Sequence, residues 1–303
     1  MKIRDFLSIA DLTPEEIVHL VRYASEIKQG NVGRPLEGKT VALLFEKASL
    51  RTRVSFEVGI RQLGGECIYL GKEDVGLGVR EPVADVARVL GRWVDAIVGR
   101  VFSHNNLVLL AQHAGVPVIN ALSDLEHPCQ AIADLLTIHE HKGDFQGLQI
   151  AFIGDGNNVA ASLAMACAST GANFIHASPP KYQVSSLVWE EAKKRASIKE
   201  SRLGWVELPQ HAARGADIVY TDVWTSMGQE SENEERLAAF GDYQVNDELM
   251  SFAKPDALFM HDLPAHEGEE IAMGMLNDCR SVVFDQAENR LYAQKALLST
   301  IFS

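Results

Sequence analysis

The sequence predicts an α/β protein built as two doubly wound parallel-sheet domains. Short apolar runs alternate with amphipathic helical stretches along the chain, the pattern of parallel strands covered on both faces. A polar stretch, His139-Glu140-His141-Lys142-Gly143-Asp144-Phe145-Gln146-Gly147, interrupts that alternation near its middle. The length of 303 residues, 47% of them hydrophobic, is enough to fill two cores.

The elements follow in order. Thr13-Pro14-Glu15-Glu16 opens a helix, with Thr13 as its cap and a proline preset for the first helical position. Strands are expected near 40–45, 66–70, 95–99 and 117–120 before the polar stretch. After it they are expected near 148–153, 172–177, 217–221, 257–260 and 281–284. The run Thr40-Val41-Ala42-Leu43-Leu44-Phe45 is the clearest strand. The helix behind it carries Val54, Phe56, Val58, Ile60 and Leu63 to a stop at Gly64-Gly65. A second well-marked helix, Ala131-Ile132-Ala133-Asp134-Leu135-Leu136, is opened by His127-Pro128, and the last helix runs from Gln286 to Ile301. This organisation assigns residues 1–140 to a first domain and 148–285 to a second.

Composition narrows the function. A formal charge of −13 excludes the basic surface that nucleic acids and anionic membranes select. No run of roughly 18 apolar residues exists to span a bilayer, and the first residues lack the long apolar core of a secretion signal. Cys67, Cys129, Cys167 and Cys279 show neither zinc-knuckle nor disulfide-framework spacing, which points to a reducing cytoplasm. An anionic substrate must therefore be drawn by a local cluster of cations.

Such a cluster is offered where the strand at 40–45 turns into its helix, at Ser49-Leu50-Arg51-Thr52-Arg53. The first amides of a helix lack internal partners and carry the positive end of its dipole, so an anion collects N–H bonds there. Arg51 can fork onto the oxygens, and Ser49 and Thr52 add hydroxyls. The same residues also fit a serine cap followed by surface arginines. Four further segments bear on the choice. Arg100 closes a buried strand, where a charge needs an anionic or carbonyl partner. His127 and Gln130 stand three apart at a helix start and share one face, suited to gripping a small group. Asp222, ahead of Val223-Trp224-Thr225-Ser226-Met227-Gly228, can hold an ammonium, with Ser226 and Met227 completing the recognition of an amino acid. His261-Asp262-Leu263-Pro264-Ala265-His266 is followed by Glu288-Asn289-Arg290.

In this order and spacing, over nearly the whole chain, these segments closely resemble the carbamoyltransferase family, and the Ser-Met-Gly segment resembles its ornithine branch. The resemblance implies that carbamoyl phosphate binds at Ser49, Leu50, Arg51, Thr52, Arg100, His127, Gln130, Asp262, Leu263 and Arg290. It makes Arg51, Thr52, Arg100, His127 and Asp262 catalytic, with Thr52, Arg100 and His127 polarising the carbamoyl oxygen. It gives L-ornithine to Asn158, Asp222, Ser226 and Met227. The implied reaction moves the carbamoyl group to the δ-amine of ornithine, yielding citrulline and phosphate, in arginine synthesis or citrulline breakdown. No metal or organic cofactor is implied. The last helix, 286–303, is implied to pack back on the first domain, leaving an active-site cleft between domains, and the assembly is implied to be a homotrimer or a multiple of trimers.

Two other motifs carry less. Gly154-Asp155-Gly156-Asn157-Asn158 follows a strand but lacks the third glycine of a dinucleotide loop, and the next strand ends without a carboxylate for a ribose. His266, Glu267, Glu269 and Glu270 have the donor types of a metal site at a spacing that fits no template, and read as the start of a surface helix. Two departures from the family stand out. Asp262 occupies a position where the ornithine branch usually has cysteine. Gly76 stands where it commonly has a glutamine reaching a neighbouring subunit, which leaves Arg80 as the candidate for that contact. A carbamoyltransferase for putrescine or an N-acylornithine, and a non-catalytic family member, are the alternative readings.

Overall fold

The computed structural model describes residues 4–30, 32–226 and 228–303. The chain divides into two units, Met1–Leu136 with Glu288–Ser303, and Thr137–Ala287. Strands are β1 (Thr40–Phe45), β2 (Glu66–Gly71), β3 (Ala96–Arg100), β4 (Val118–Leu122), β5 (Gln149–Ile153), β6 (Asn173–Ala177), β7 (Leu203–Val206), β8 (Ile218–Thr221) and β9 (Leu258–Met260). The helices of the first half are α1 (Pro14–Lys28), α2 (Leu50–Gln62), α3 (Lys72–Val75), α4 (Val83–Leu90), α5 (His104–Ala114) and α6 (Pro128–Lys142). Those of the second are α7 (Asn158–Thr170), α8 (Ser186–Lys199), α9 (Pro209–Ala213), α10 (Asn233–Phe240), α11 (Asp247–Met250) and α12 (Val283–Ile301). The division between units falls inside α6 and again inside α12.

Each unit holds one all-parallel sheet, ordered β2-β1-β3-β4 in the first and β7-β6-β5-β8-β9 in the second. The central strands are buried on both faces, which is why they read as unbroken apolar runs rather than alternations. At the end of β3 the register to β4 shifts between Gly99 and Arg100, and a Cβ at Gly99 would meet Leu107 Cδ2 at 2.5 Å. Only glycine lets α5 approach so closely.

Local signals set the helix starts. The Thr13 hydroxyl accepts from the Glu16 amide at 3.2 Å while the Glu16 carboxylate accepts from the Thr13 amide at 2.9 Å, a reciprocal cap for α1. Ser49 caps α2 by accepting from the Thr52 amide at 3.3 Å.

Three expectations are corrected. Leu203–Val206 forms strand β7, unpredicted because it is short, only partly buried and contains Gly204. Residues 281–284 are not a strand: Ser281 makes one bridge to Phe259, and the backbone then turns into α12, with the Gln286 amide bonding the Val282 carbonyl at 2.9 Å. The apolar run there packs the first turn of a helix rather than a ladder. Nor do His266–Glu270 begin a surface helix. They form turns closed by a Glu267–Ile271 bridge, and Glu270 is fully buried.

Candidate active site

In the first unit, β1 delivers Ser49 and Thr52 to the start of α2, β3 delivers Arg100, the turn after β4 delivers His127 and Gln130, and α12 delivers Arg290. The Thr52 hydroxyl is the meeting point. It accepts from Arg290 Nη2 at 2.6 Å, from Arg100 Nη1 at 3.3 Å and from Ser49 Oγ at 3.0 Å. Thr52, Arg100, His127, Gln130 and Arg290 are all buried. Gln130 is held from both ends, its carbonyl accepting from Arg290 Nη1 and its amide donating to Asp134 at 2.8 Å. Burial, and then the guanidiniums of Arg290 and Arg100, hold the His127 imidazole well below the ordinary histidine range. The ring is therefore a neutral hydrogen-bonding group at pH 7. Two buried guanidiniums beside a helix N-terminus create a strong local demand for an anion in an otherwise acidic chain.

Arg51 follows on the first turn of α2, half-buried, and its guanidinium makes no hydrogen bond or ion pair among the described residues. Leu50 is exposed and offers a first-turn amide. Arg80 is exposed on the loop behind α3, where its amide donates to the Gly76 carbonyl at 2.8 Å. Gly76 is left-handed at φ +57°.

The second unit gathers another set at the carboxyl ends of β5, β8 and β9. Asn157 caps α7, its Oδ1 accepting from the Val159 and Ala160 amides at 3.0 and 3.1 Å. Its Nδ2 donates to Asp222 Oδ2 at 2.7 Å. Asn158, which the resemblance gives to ornithine, is the first residue of α7 and directly follows Asn157. The other Asp222 oxygen accepts from the Val223 amide at 2.7 Å. One ligand atom from each of Asp222, His261 and Asp262 lies within 4.8 Å of the others. Burial pushes the Asp222 carboxyl well above the usual range, the Asp262 charge adds to the rise, and His261 and Asn157 oppose it. A cation is the natural partner for such a pair.

The turn behind β9 is built around His261. Its amide donates to Gln286 Oε1 at 2.9 Å, its Nδ1 accepts from the Leu263 amide at 2.9 Å, and its Nε2 donates to Glu270 Oε1 at 3.1 Å. Glu270 is a buried structural partner of His261 that the sequence pattern does not reveal. Burial raises its proton affinity, but bonds from His261 and the His266 amide outweigh that, and the carboxyl lies below its ordinary value. Leu263 adopts a left-handed φ of +61°, which an L side chain takes at a cost of about 1 kcal/mol. Ser226 is half-buried, and its amide is already taken by Gln229 Oε1 at 3.1 Å, leaving the hydroxyl to offer. Met227 lies outside the described residues.

A buried cluster of guanidiniums at a helix N-terminus in one parallel-sheet unit and a buried carboxyl pair in the other fit a transferase of the parallel α/β class. Residues 4–140 match the carbamoyl-P binding domain of aspartate/ornithine carbamoyltransferase, and residues 146–301 match the Asp/Orn binding domain of the same family. The chain is 50% identical to the ornithine carbamoyltransferase of Anoxybacillus flavithermus over 99% of its own length and 97% of that protein's. It is 48% identical to the ornithine carbamoyltransferase of Pyrococcus furiosus named as anabolic, over 98% of this chain and 96% of that one. Its fold superposes on a solved ornithine carbamoyltransferase from Pyrococcus furiosus with a TM-score of 0.96, at 48% identity, covering 99% of this chain and 97% of the other. The chain belongs to the aspartate/ornithine carbamoyltransferase family.

Proposed function

We propose that this protein is an ornithine carbamoyltransferase, transferring the carbamoyl group of carbamoyl phosphate to the δ-amine of L-ornithine to give L-citrulline and phosphate. The observation that carries the reading is the convergence of Arg100 and Arg290 on the Thr52 hydroxyl at the N-terminus of α2. Ser49, the Leu50 amide, Arg51 and Thr52 bind the phosphate, and Arg290 braces the site. Thr52, Arg100 and the neutral His127 donate toward the carbamoyl oxygen, where negative charge develops as the amine attacks. Gln130 and the backbone carbonyls of Asp262 and Leu263 receive the carbamoyl amino group. Arg290 then gives up or shares the Gln130 oxygen it now occupies.

Ornithine is held by its carboxylate on Asn158 and its α-ammonium on Asp222, with Ser226 and Met227 completing the contact. The neutral δ-amine attacks the carbamoyl carbon, the bond to the phosphate oxygen breaks, and the amine's proton leaves with the phosphate or is taken by Asp262. Catalysis rests on placing two reactants and stabilising charge, with no metal or organic cofactor. The enzyme is read as a cytoplasmic homotrimer or multiple of trimers that serves arginine synthesis, with Arg80 contributing to a neighbouring subunit's site. Among the described residues no helix is long and apolar enough to cross a membrane.

The decisive assay offers carbamoyl phosphate with ornithine, putrescine, acetylornithine and aspartate in parallel and scores ureido product. A preference for any amine other than ornithine overturns the assignment. For Arg80, subunits carrying Arg80→Ala are mixed with subunits inactivated by Arg51→Ala. A shared site regains activity above that of the Arg80→Ala enzyme, and independent sites regain none.

A further inference from the structure

Arg236, on α10, is buried at 5% exposure. Burying a guanidinium is costly unless its donors are all used, and here they are spread over several elements. Nη1 donates to Asp155 Oδ2 at 3.0 Å and to the Trp224 carbonyl at 3.0 Å, and Nε donates to Glu232 Oε2 at 3.0 Å. The guanidinium carbon lies 5.0 Å from the centre of the Tyr182 ring. Asp155 stands on the loop that leads from β5 to Asn157 and Asn158. Trp224 stands on the loop that leads from β8 through Asp222 to Ser226. This rigid fork, alongside the Asn157–Asp222 bond, thus sets the spacing between the two loops to which the amino-acid contacts are assigned.

Further contacts hold each loop to the elements around the guanidinium. The Gly156 amide donates to the Tyr182 carbonyl at 2.8 Å, and a Cβ at Gly156 would lie 2.2 Å from the Val184 amide nitrogen. The first loop is therefore pressed against the segment whose tyrosine ring packs on the guanidinium. Thr225 Oγ1 donates to Asn233 Oδ1 at 2.9 Å, tying the second loop to the start of the helix that carries Arg236. None of these contacts uses an atom assigned to substrate.

We propose that Arg236 is a positioning residue for the amino-acid substrate, holding the Asn157–Asn158 loop and the Asp222–Ser226 loop at the separation that matches an α-carboxylate and an α-ammonium. The proposal rests on the ornithine assignment above. An amino acid carries those two charges on one carbon, so its grip depends on the distance between loops rather than on either alone. Methionine in place of Arg236 keeps bulk and loses all three donor contacts. Lysine keeps the charge but, as a point donor, reaches one partner at a time. Asp155→Asn keeps an acceptor for the guanidinium.

The test is steady-state kinetics on the full-length enzyme and its Arg236→Met, Arg236→Lys, Asp155→Asn and Asp222→Asn variants, with the folded fraction of each read by thermal unfolding and carbamoyl phosphate affinity by calorimetry. Arg236→Met is expected to raise the KM for ornithine at least about tenfold, equivalent to about 1.4 kcal/mol. Its kcat and carbamoyl phosphate affinity should stay within about threefold. Arg236→Lys should fall between wild type and Met, and Asp155→Asn should be milder than Met. An unchanged ornithine KM in a folded Arg236 variant overturns the proposal, as does a loss confined to kcat or shared equally by both substrates. If the methionine variant does not fold, the lysine variant decides on the same criteria. Asp222→Asn separates the two levels: an unchanged ornithine KM there overturns the site assignment itself, whereas a raised KM there with unaffected Arg236 variants removes only the positioning role.

Discussion

Arg290 Nη2 donates to Thr52 Oγ1 at 2.6 Å, joining residues 238 positions apart in the chain. A threonine on α2 thereby orients a guanidinium on the last helix, and the same oxygen receives Arg100 from β3. Charge that would otherwise spread over flexible side chains is concentrated at one hydroxyl, the pre-arrangement that the proposed phosphate site calls for.

Thr52→Val tests this arrangement. The valine keeps shape but leaves two buried guanidinium N–H groups facing a methyl, at a cost of about 1–3 kcal/mol in stability. Carbamoyl phosphate affinity is expected to fall by about tenfold or more, and Thr52→Ser to restore most of it. Calorimetry on the three proteins checks this, and a valine variant that binds carbamoyl phosphate normally would remove Thr52 from the site.

Asn157 serves two partners, capping α7 with its carbonyl and holding Asp222 with its amide. Asn157→Ala should cost about 1 kcal/mol of stability for the cap. It should also raise the ornithine KM by about tenfold, because Asp222 loses its orientation. Asn157→Asp should keep the cap yet bind ornithine worse than alanine, since it sets a further carboxylate, besides Asp262, against Asp222. Denaturant unfolding separates the two effects from the kinetics. If the aspartate variant bound ornithine as well as wild type, Asp222 would not depend on this amide.

Much of this arrangement is legible in the chain because its signals are local. The unbroken apolar run of β1 followed by a serine cap announces the turn that carries Ser49 and Thr52, and the clustering of motifs behind strands follows from how parallel sheets bind ligands. What stays hidden is non-local. The Asn157–Asp222 bond spans 65 residues and leaves no periodic trace in either segment. Glu270 looks like one of several surface acids until His261 folds over it. The run at 281–284 has strand composition, yet only Ser281 bridges the sheet before the chain turns into α12 at Val283, with Phe284 exposed.

Asp262→Cys addresses the departure from the family. Asp222 owes its raised proton affinity first to burial and next to Asp262, so removing the second carboxylate lets Asp222 ionise at lower pH. The acid limb of ornithine binding should move downward with it. Carbamoyl phosphate affinity should stay within about threefold, because the contacts assigned there are backbone carbonyls. A pH profile of kcat/KM that does not move would show that Asp262 has no hold on Asp222 in the working enzyme.

His176 supplies a pH effect on stability. Burial pushes its imidazole down to about 4, partly offset by the bond to the Gly154 carbonyl. The unfolded chain binds this proton near pH 6.5 and the folded chain only near 4, so stability is lost as pH falls through that window and levels off below it. The loss attributable to this residue is on the order of 3 kcal/mol. Asp155, raised to about 6, works in the opposite sense over an overlapping range, so the whole protein's pH curve does not isolate His176. The comparison does: urea unfolding at pH 7 and pH 5 should show a smaller acid loss in His176→Gln than in wild type. An equal loss would mean that His176 is protonated in the native state.

The separate sheets have a genetic consequence. The groups assigned to the phosphate donor hang almost entirely from the β2-β1-β3-β4 sheet and its helices, and those assigned to the amine from the β7-β6-β5-β8-β9 sheet. A core substitution that loosens one sheet without unfolding the chain should therefore leave a lesion specific to one substrate. Random mutants sorted by which substrate they have lost should map back onto two blocks of sequence, with the stretch from Glu288 onward reporting with the first block although it is encoded last.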